Sequence, residues 1–325
     1  MSTSVWPPIS PDLLRKEEDD STARELAWLL DSLQETLASL KSGLEECYAL
    51  LAPIEPGNTL VMSSPRSESI KGHVTRVGSR IVKGQLALRL KTHSPLQFTL
   101  SPNHPLVLPE LTLLRTLLNQ SLDCIDITRW TGDRTSPDFI ASQLHLLHNI
   151  LLESLGLLKG PSSPPLPKPT PYSSPSAAAP APDPNPDPSR YPIPTPPHIQ
   201  PWNVNPPDPE SFSPPLPRDL ALSLHVSDSS LVLTARTLEN AHREQNLGER
   251  LAYAIGAQRR LEHDEMDTVF VYRGEEVRVK EKVRVVGGAD PSLLSLGAKL
   301  GALEATVQGS RVALAVVLGK ALDDD

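Results

Sequence analysis

Cysteine is nearly absent from this chain: Cys47 and Cys124 are the only two in 325 residues. A pair so far apart builds no disulfide framework and has no zinc-ligand spacing. Aromatic residues are also scarce, with four Phe, five Tyr and four Trp. Such a profile favours helix seams over an enclosed ligand cavity. Positive charge is in deficit, since 31 Lys and Arg face 39 Asp and Glu for a net charge of −8. A nucleic-acid binder would normally show a basic stripe, so that class is set aside. The opening residues lack a basic segment followed by an apolar one, so no secretory signal is expected. No apolar run reaches about 18 residues, so no membrane span is expected either. Together these absences point to an intracellular, soluble protein.

Two residue types are abundant. Leucine occupies 52 positions and proline 35, of which 23 fall within residues 161–217. The leucines are periodic. Leu26, Leu30, Leu33, Leu37, Leu40, Leu44, Cys47 and Leu51 alternate at spacings of four and three, a heptad seam that ends before Pro53. Leu111, Leu114, Leu118, Leu122 and Ile125 predict a second helix within 106–127. Ser136 as cap and Pro137 at the first position open a third, which stops at Gly160-Pro161. Asp290-Pro291 opens a fourth, with Leu293, Leu296, Leu300, Leu303, Val307 and Leu314 in line.

Between the helices the period falls to two. Thr59–Ser63, Ile70–Val77, residues 85–91 and Leu96–Leu100 read as strands with one covered face. After the proline tract, Leu220–Val226 and Leu231–Leu238 read as a hairpin around Ser227-Asp-Ser-Ser. A short helix is expected through Leu247, Leu251 and Ile255, followed by strands Thr268–Arg273 and Glu276–Val286. The fold class is therefore α+β: an antiparallel bundle of about four helices drawn from both chain ends, plus an antiparallel β-sheet domain. The expected boundaries are a disordered tail over 1–20, the bundle from 21–52, 106–160 and 290–322, the β domain from 58–101 and 218–288, and a disordered Pro-rich linker over 161–217. The most economical arrangement puts all strands in one sheet.

Sites of chemistry are hard to find. No Gly-rich loop ends in Gly-Lys-Ser/Thr, and Gly319-Lys320-Ala321 lacks the hydroxyl that holds magnesium. No Gly-x-Ser-x-Gly elbow exposes a serine. His145 and His148 share a helix face at a spacing a metal could use, but no third ligand is evident, and a helix shoulder is the preferred reading. Cys47 in the seam and Cys124 beside it read as small apolar residues. No catalytic residue, cofactor or metal is expected, and the chain reads as a non-enzyme. Trp28, off the seam of the first helix, is either an exposed anchor or packed beneath the sheet, with packing favoured.

The proline tract offers one short motif, present twice. Pro164, Pro165, Leu166, Pro167 and Lys168 are matched by Pro214, Pro215, Leu216, Pro217 and Arg218. A polyproline helix carrying a leucine and a cation suits the aromatic grooves of WW and SH3 modules, although a plain spacer reading competes with it. Ser163, Ser174, Thr195 and Ser213 precede prolines and could accept proline-directed phosphorylation.

Three stretches in collinear order resemble the Rogdi family, the leucine-zipper-like subunit of RAVE-type regulators of vacuolar proton-pumping ATPase (V-ATPase) assembly. They are Arg24-Glu-Leu-Ala-Trp-Leu-Leu-Asp31, Ser69-Ile-Lys-Gly-His-Val-Thr-Arg-Val-Gly78 through Leu86-Ala-Leu-Arg-Leu-Lys91, and Leu216-Pro-Arg-Asp-Leu-Ala-Leu-Ser-Leu224 through Leu231-Val-Leu-Thr234. The resemblance implies a non-catalytic subunit of a cytosolic complex that joins the peripheral ATPase sector to the membrane sector. Its implied partners are a large β-propeller-containing scaffold subunit and peripheral-sector subunits, with recruitment to vacuolar or endosomal membranes through them. The alternative is a signalling adaptor that recruits WW or SH3 proteins through the proline tract. The chain departs from the family in its longer proline tract and its short acidic end.

Overall fold

The computed structural model describes residues 10–65, 68–160, 202–242, 261–266 and 268–320. Its elements run α1 (Pro11–Leu50), β1 (Asn58–Ser63), β2 (Ile70–Val77), β3 (Arg80–Leu88), β4 (Leu96–Leu100), β5 (Leu106–Val107), α2 (Pro109–Asp126) and α3 (Pro137–Lys159), then β6 (Phe212–Ser213), β7 (Leu220–Ser227), β8 (Ser230–Asn240), β9 (Val269–Tyr272), β10 (Glu275–Ala289) and α4 (Pro291–Leu318). This is an α+β fold with four helices and two antiparallel sheets.

Each of the four helices begins with proline in its first turn. Proline's fixed φ suits that position, where its missing N–H would have no partner anyway. Ser10, Ser136 and Asp290 add side-chain caps. The helices then close a ring of antiparallel neighbours. Lys41 of α1 pairs with Asp126 of α2 at 2.7 Å, and Arg115 of α2 donates to the Tyr48 hydroxyl at 2.8 Å. Lys299 of α4 pairs with Glu46 of α1. The seam leucines Leu33, Leu37, Leu40 and Leu44 meet Leu114, Leu118, Leu144, Leu151, Leu296 and Leu300 in one core.

The helix α1 begins ten residues earlier than the periodicity indicates. Residues 11–20, read as tail, are helical, and Ser10 Oγ accepts from Leu13 N at 3.4 Å. The Ser-Pro-Asp start is the same signal used for α3. It was masked by the Lys16–Asp20 run, which carries no apolar seam. Residues 11–25 are all exposed, so the first turns project beyond the bundle.

The strands form two sheets rather than one. The first has the order β1-β2-β3-β4-β6, with β5 also pairing β3; the second has the order β7-β8-β10-β9. Buried Glu281 of β10 clasps them together. Its carboxylate accepts from Lys91 N at 3.1 Å, Thr92 N at 2.9 Å and Thr92 Oγ1 at 3.0 Å, midway along the β3–β4 connection. A separate clasp ties the first sheet to the bundle, where Arg76 of β2 forms a two-pronged pair with Asp290, the cap of α4, at 2.6 and 3.0 Å.

The second sheet is covered on both faces at β8, whose residues 231–238 are all buried. Leu231, Leu233 and Ala235 join the main core. On the outer face, Trp202 stacks on Arg236, and Glu265 pairs with Arg236 and Lys282. His225 of β7 lies on this face. Its own burial, and then the charges of Arg284, Arg236 and Lys282, push its pKa down from 6.5 to about 4. The unfolded chain therefore binds a proton between those values that the folded chain refuses, and stability present above pH ~6.5 is lost as pH falls toward ~4. Urea denaturation at stepped pH should show a loss of up to about 3 kcal/mol across that window. The slope there should flatten in His225→Gln; an equal slope in the variant would refute the assignment.

By length and composition, one helix among the described residues could cross a membrane: Pro291–Leu318, with a mean hydropathy of 1.2 over its most apolar window. Glu304 and Arg311 interrupt its apolar run. Its Leu293, Leu296, Leu300, Val307 and Leu314 face is packed in the bundle core.

Candidate interaction surfaces

The motif residues chosen from the sequence fare unequally. Residues 164–168 lie outside the described residues, as do Ser163, Ser174, Thr195 and the helix expected through Leu247–Ile255. The second Pro-Pro-Leu-Pro copy is described, and it is not a free ligand. Leu216 is only 4% exposed and belongs to the main core, so its side chain cannot enter a partner's groove. Just before it, β6 pairs with β4, and Phe212 meets Phe98 edge-on with ring centroids 5.9 Å apart. Residues 202–217 are thus part of the fold and not linker; composition hid this, because one Trp, one Phe and one Leu among many prolines carry the packing. Pro214, Pro215 and Arg218 are exposed and Pro217 is half-buried, while Arg218 reaches Glu275 at 4.0 Å. Ser213 sits in β6 opposite Thr99.

Trp28 is 69% exposed, which overturns the preference for packing beneath the sheet. Its helix runs past the bundle end, so no element among the described residues lies over that face. A second tryptophan, Trp130, is equally exposed and was not singled out in the sequence. It sits on a π-helical turn, Ile127–Thr131, that carries α2 past the helix end expected at residue 127. Such turns are rare and frequently mark functional positions. Arg129 and Arg134 stack over the Trp130 ring at 5.4 and 5.5 Å. Beside it opens a shallow cleft of about 470 Å³ lined by Lys41, Asp123, Asp126, Ile127, Trp130 and Thr131. Tryptophan and arginine are the residues that most often dominate binding energy at protein interfaces.

The outward face of α4 is a second such surface. Leu294, Ala302, Ala305, Gly309, Val312 and Val316 are exposed along it, and no exposed residue between 301 and 318 is charged.

The histidine pair resolves into an interhelical clasp. Arg311 of α4 donates to Nδ1 of both His148 (2.8 Å) and His145 (3.0 Å), and His148 Nε2 meets Glu304 at 2.9 Å. Arginine has no acceptor, so both rings turn their Nδ1 lone pairs to it. Those lone pairs are then unavailable to a metal. A further trio, His104, Asp208 and Glu210, lies close together but fully on the surface. Each carboxylate faces a different ring nitrogen of His104, at 3.9 and 3.7 Å, which is ion-pair geometry. The cysteines are buried and free. Burial pushes the Cys47 thiol up to about 11 and also raises that of Cys124, which disfavours the reactive thiolate at both positions.

A family model described as Rogdi leucine zipper containing protein matches residues 25–315. The chain belongs to the Rogdi family. The match takes in α1 from Glu25, both sheets and all but the last turn of α4, so it covers the bundle and the sheets together. No curated protein matches the chain. In this member of the Rogdi family, the zipper-like seams close on one another within a single chain.

Proposed function

We propose that this protein is a non-catalytic subunit of a cytosolic complex that promotes assembly of the V-ATPase, bringing the peripheral sector onto the membrane sector. The family match over residues 25–315 carries this reading. A large β-propeller-containing scaffold and peripheral-sector subunits are the proposed partners. A rigid bundle with exposed Trp28 and Trp130 can be held by the scaffold while the complex holds both sectors. Tethering raises the local concentration of one sector near the other and so lowers the entropic cost of their reunion. Recruitment to vacuolar or endosomal membranes would follow from the partners.

The adaptor alternative loses one of its two motif copies, because Leu216 is in the core. Deleting the gene is expected to impair vacuolar acidification and to leave the peripheral sector cytosolic. Normal acidification with intact sector assembly would sink the proposal.

A further inference from the structure

None of the six strands of the first sheet contains an aspartate or glutamate, although the whole chain carries a net charge of −8. Its solvent face carries two lysines, an arginine and a histidine instead. Lys71 and His73 on β2, Lys83 on β3 and Arg89 just past it all point outward and are exposed. The register sets Lys71 opposite Ala87, His73 opposite Gln85 and Thr75 opposite Lys83. Lys71 and Arg89 are therefore diagonal neighbours, as are His73 and Lys83, at roughly 7–8 Å between backbones. Together they make a staggered basic row along two adjoining strands. None of the four has an ion-pair partner among the described residues.

The side chains around this row decide what it can receive. Thr59, Gln85, Gln97 and Thr99 are exposed hydrogen-bonding groups. The only aromatics in these strands, Phe98 and Phe212, face the core. Nucleic-acid bases would find nothing on which to stack. A lipid surface would find, among the described residues, only the separate valines Val61 and Val107 as large apolar side chains exposed on this face, and no aromatic anchor. A polypeptide with regularly spaced carboxylates would find both cations and amide or hydroxyl partners.

We propose that the solvent face of the first sheet docks an acidic segment of a partner protein through Lys71, His73, Lys83 and Arg89. That the occupant is a protein rests on the assembly-subunit reading; the charge pattern does not.

The test uses the purified full-length chain and its K71E/K83E/R89E variant. All three positions are exposed, so the variant should melt within a few degrees of the parent, which confirms its fold. The probe is a short fluorescein-labelled peptide of alternating glutamate and threonine, read by anisotropy. Binding to the parent should weaken as salt rises and should fall roughly tenfold or more in the folded variant. Equal binding by parent and variant, or no binding by the parent, would overturn the proposal. So would tighter binding of the parent to phosphatidylserine vesicles than to the peptide, or self-association of the parent that the variant abolishes. Failure of the assembly reading appears elsewhere: a chain that binds the peptide on this face yet leaves sector assembly untouched in cells defeats that reading alone.

Discussion

Asp290→Ala is expected to destabilise the protein by about 3–5 kcal/mol, the cost of leaving a buried charge without its partner. Asp290 is fully buried and its partner Arg76 nearly so, with side chains 0% and 2% exposed. The carboxylate also accepts from Asn58 Nδ2 at 2.8 Å and from Ser292 N and Leu293 N at 3.0 and 3.3 Å, so it caps α4 as well. Losing the cap alone costs about 1 kcal/mol. The substitution would therefore release the first turn of α4 and strand the Arg76 guanidinium, which would keep only the Gly78 carbonyl. Urea denaturation should show a lower midpoint with an unchanged slope. The double variant Arg76→Met with Asp290→Ser removes both charges and keeps a capping hydroxyl, so it should recover most of the loss. A loss below about 1 kcal/mol in Asp290→Ala would show that this clasp does not hold the bundle to the sheet.

Gly160→Ala should be comparably damaging, at about 3 kcal/mol or more, because strain and collision add there. Gly160 ends α3 with φ +72° and ψ −173°, a backbone region open essentially to glycine alone. An added Cβ would lie 2.4 Å from the Val226 carbonyl oxygen and 2.9 Å from Ser227 Cα. The turn cannot simply move away. Asp228 N donates to Lys159 O at 3.0 Å and Ser229 N to Leu158 O at 2.9 Å, pinning the β7–β8 turn to the end of α3. Thermal melting of the variant should show a drop of several degrees or more. Gly156→Ala is the control, since nothing lies within 4 Å of its added Cβ, and it should be neutral or slightly stabilising. Equal melting of the two variants would contradict this account of the joint.

Much of the fold was legible because its signals are local. The α3 and α4 starts at Ser136-Pro137 and Asp290-Pro291, the β7–β8 hairpin and the strands Ile70–Val77 and Leu96–Leu100 follow from caps, turns and alternation within a few residues. What was not legible depends on long-range pairing. The strands divide into two sheets, and β6 joins β4 of the first across the proline-rich segment, a pairing with no local signature. Arg76 gave half a signal. It shares the buried side of β2 with Ile70 and Val74, and a cation there requires a buried acceptor, but only tertiary packing names Asp290.

The candidate surfaces follow the same division. Trp28 could be picked out as off-seam, yet its exposure depends on how far α1 outruns its neighbours. Trp130 lies beyond the helix end expected at residue 127, and the leucine seam gives no sign of the π-helical continuation that displays it. The basic row on the first sheet was visible residue by residue, but the chain's overall acidity concealed it, because net charge averages over faces that a partner meets one at a time.

The central claim is that this Rogdi-family chain works by holding ATPase assembly partners. Affinity purification of the tagged full-length protein from its native cells, with mass spectrometry of what accompanies it, tests that most directly. The account predicts a large β-propeller-containing protein together with peripheral-sector ATPase subunits. Recovery of the protein with neither would contradict it.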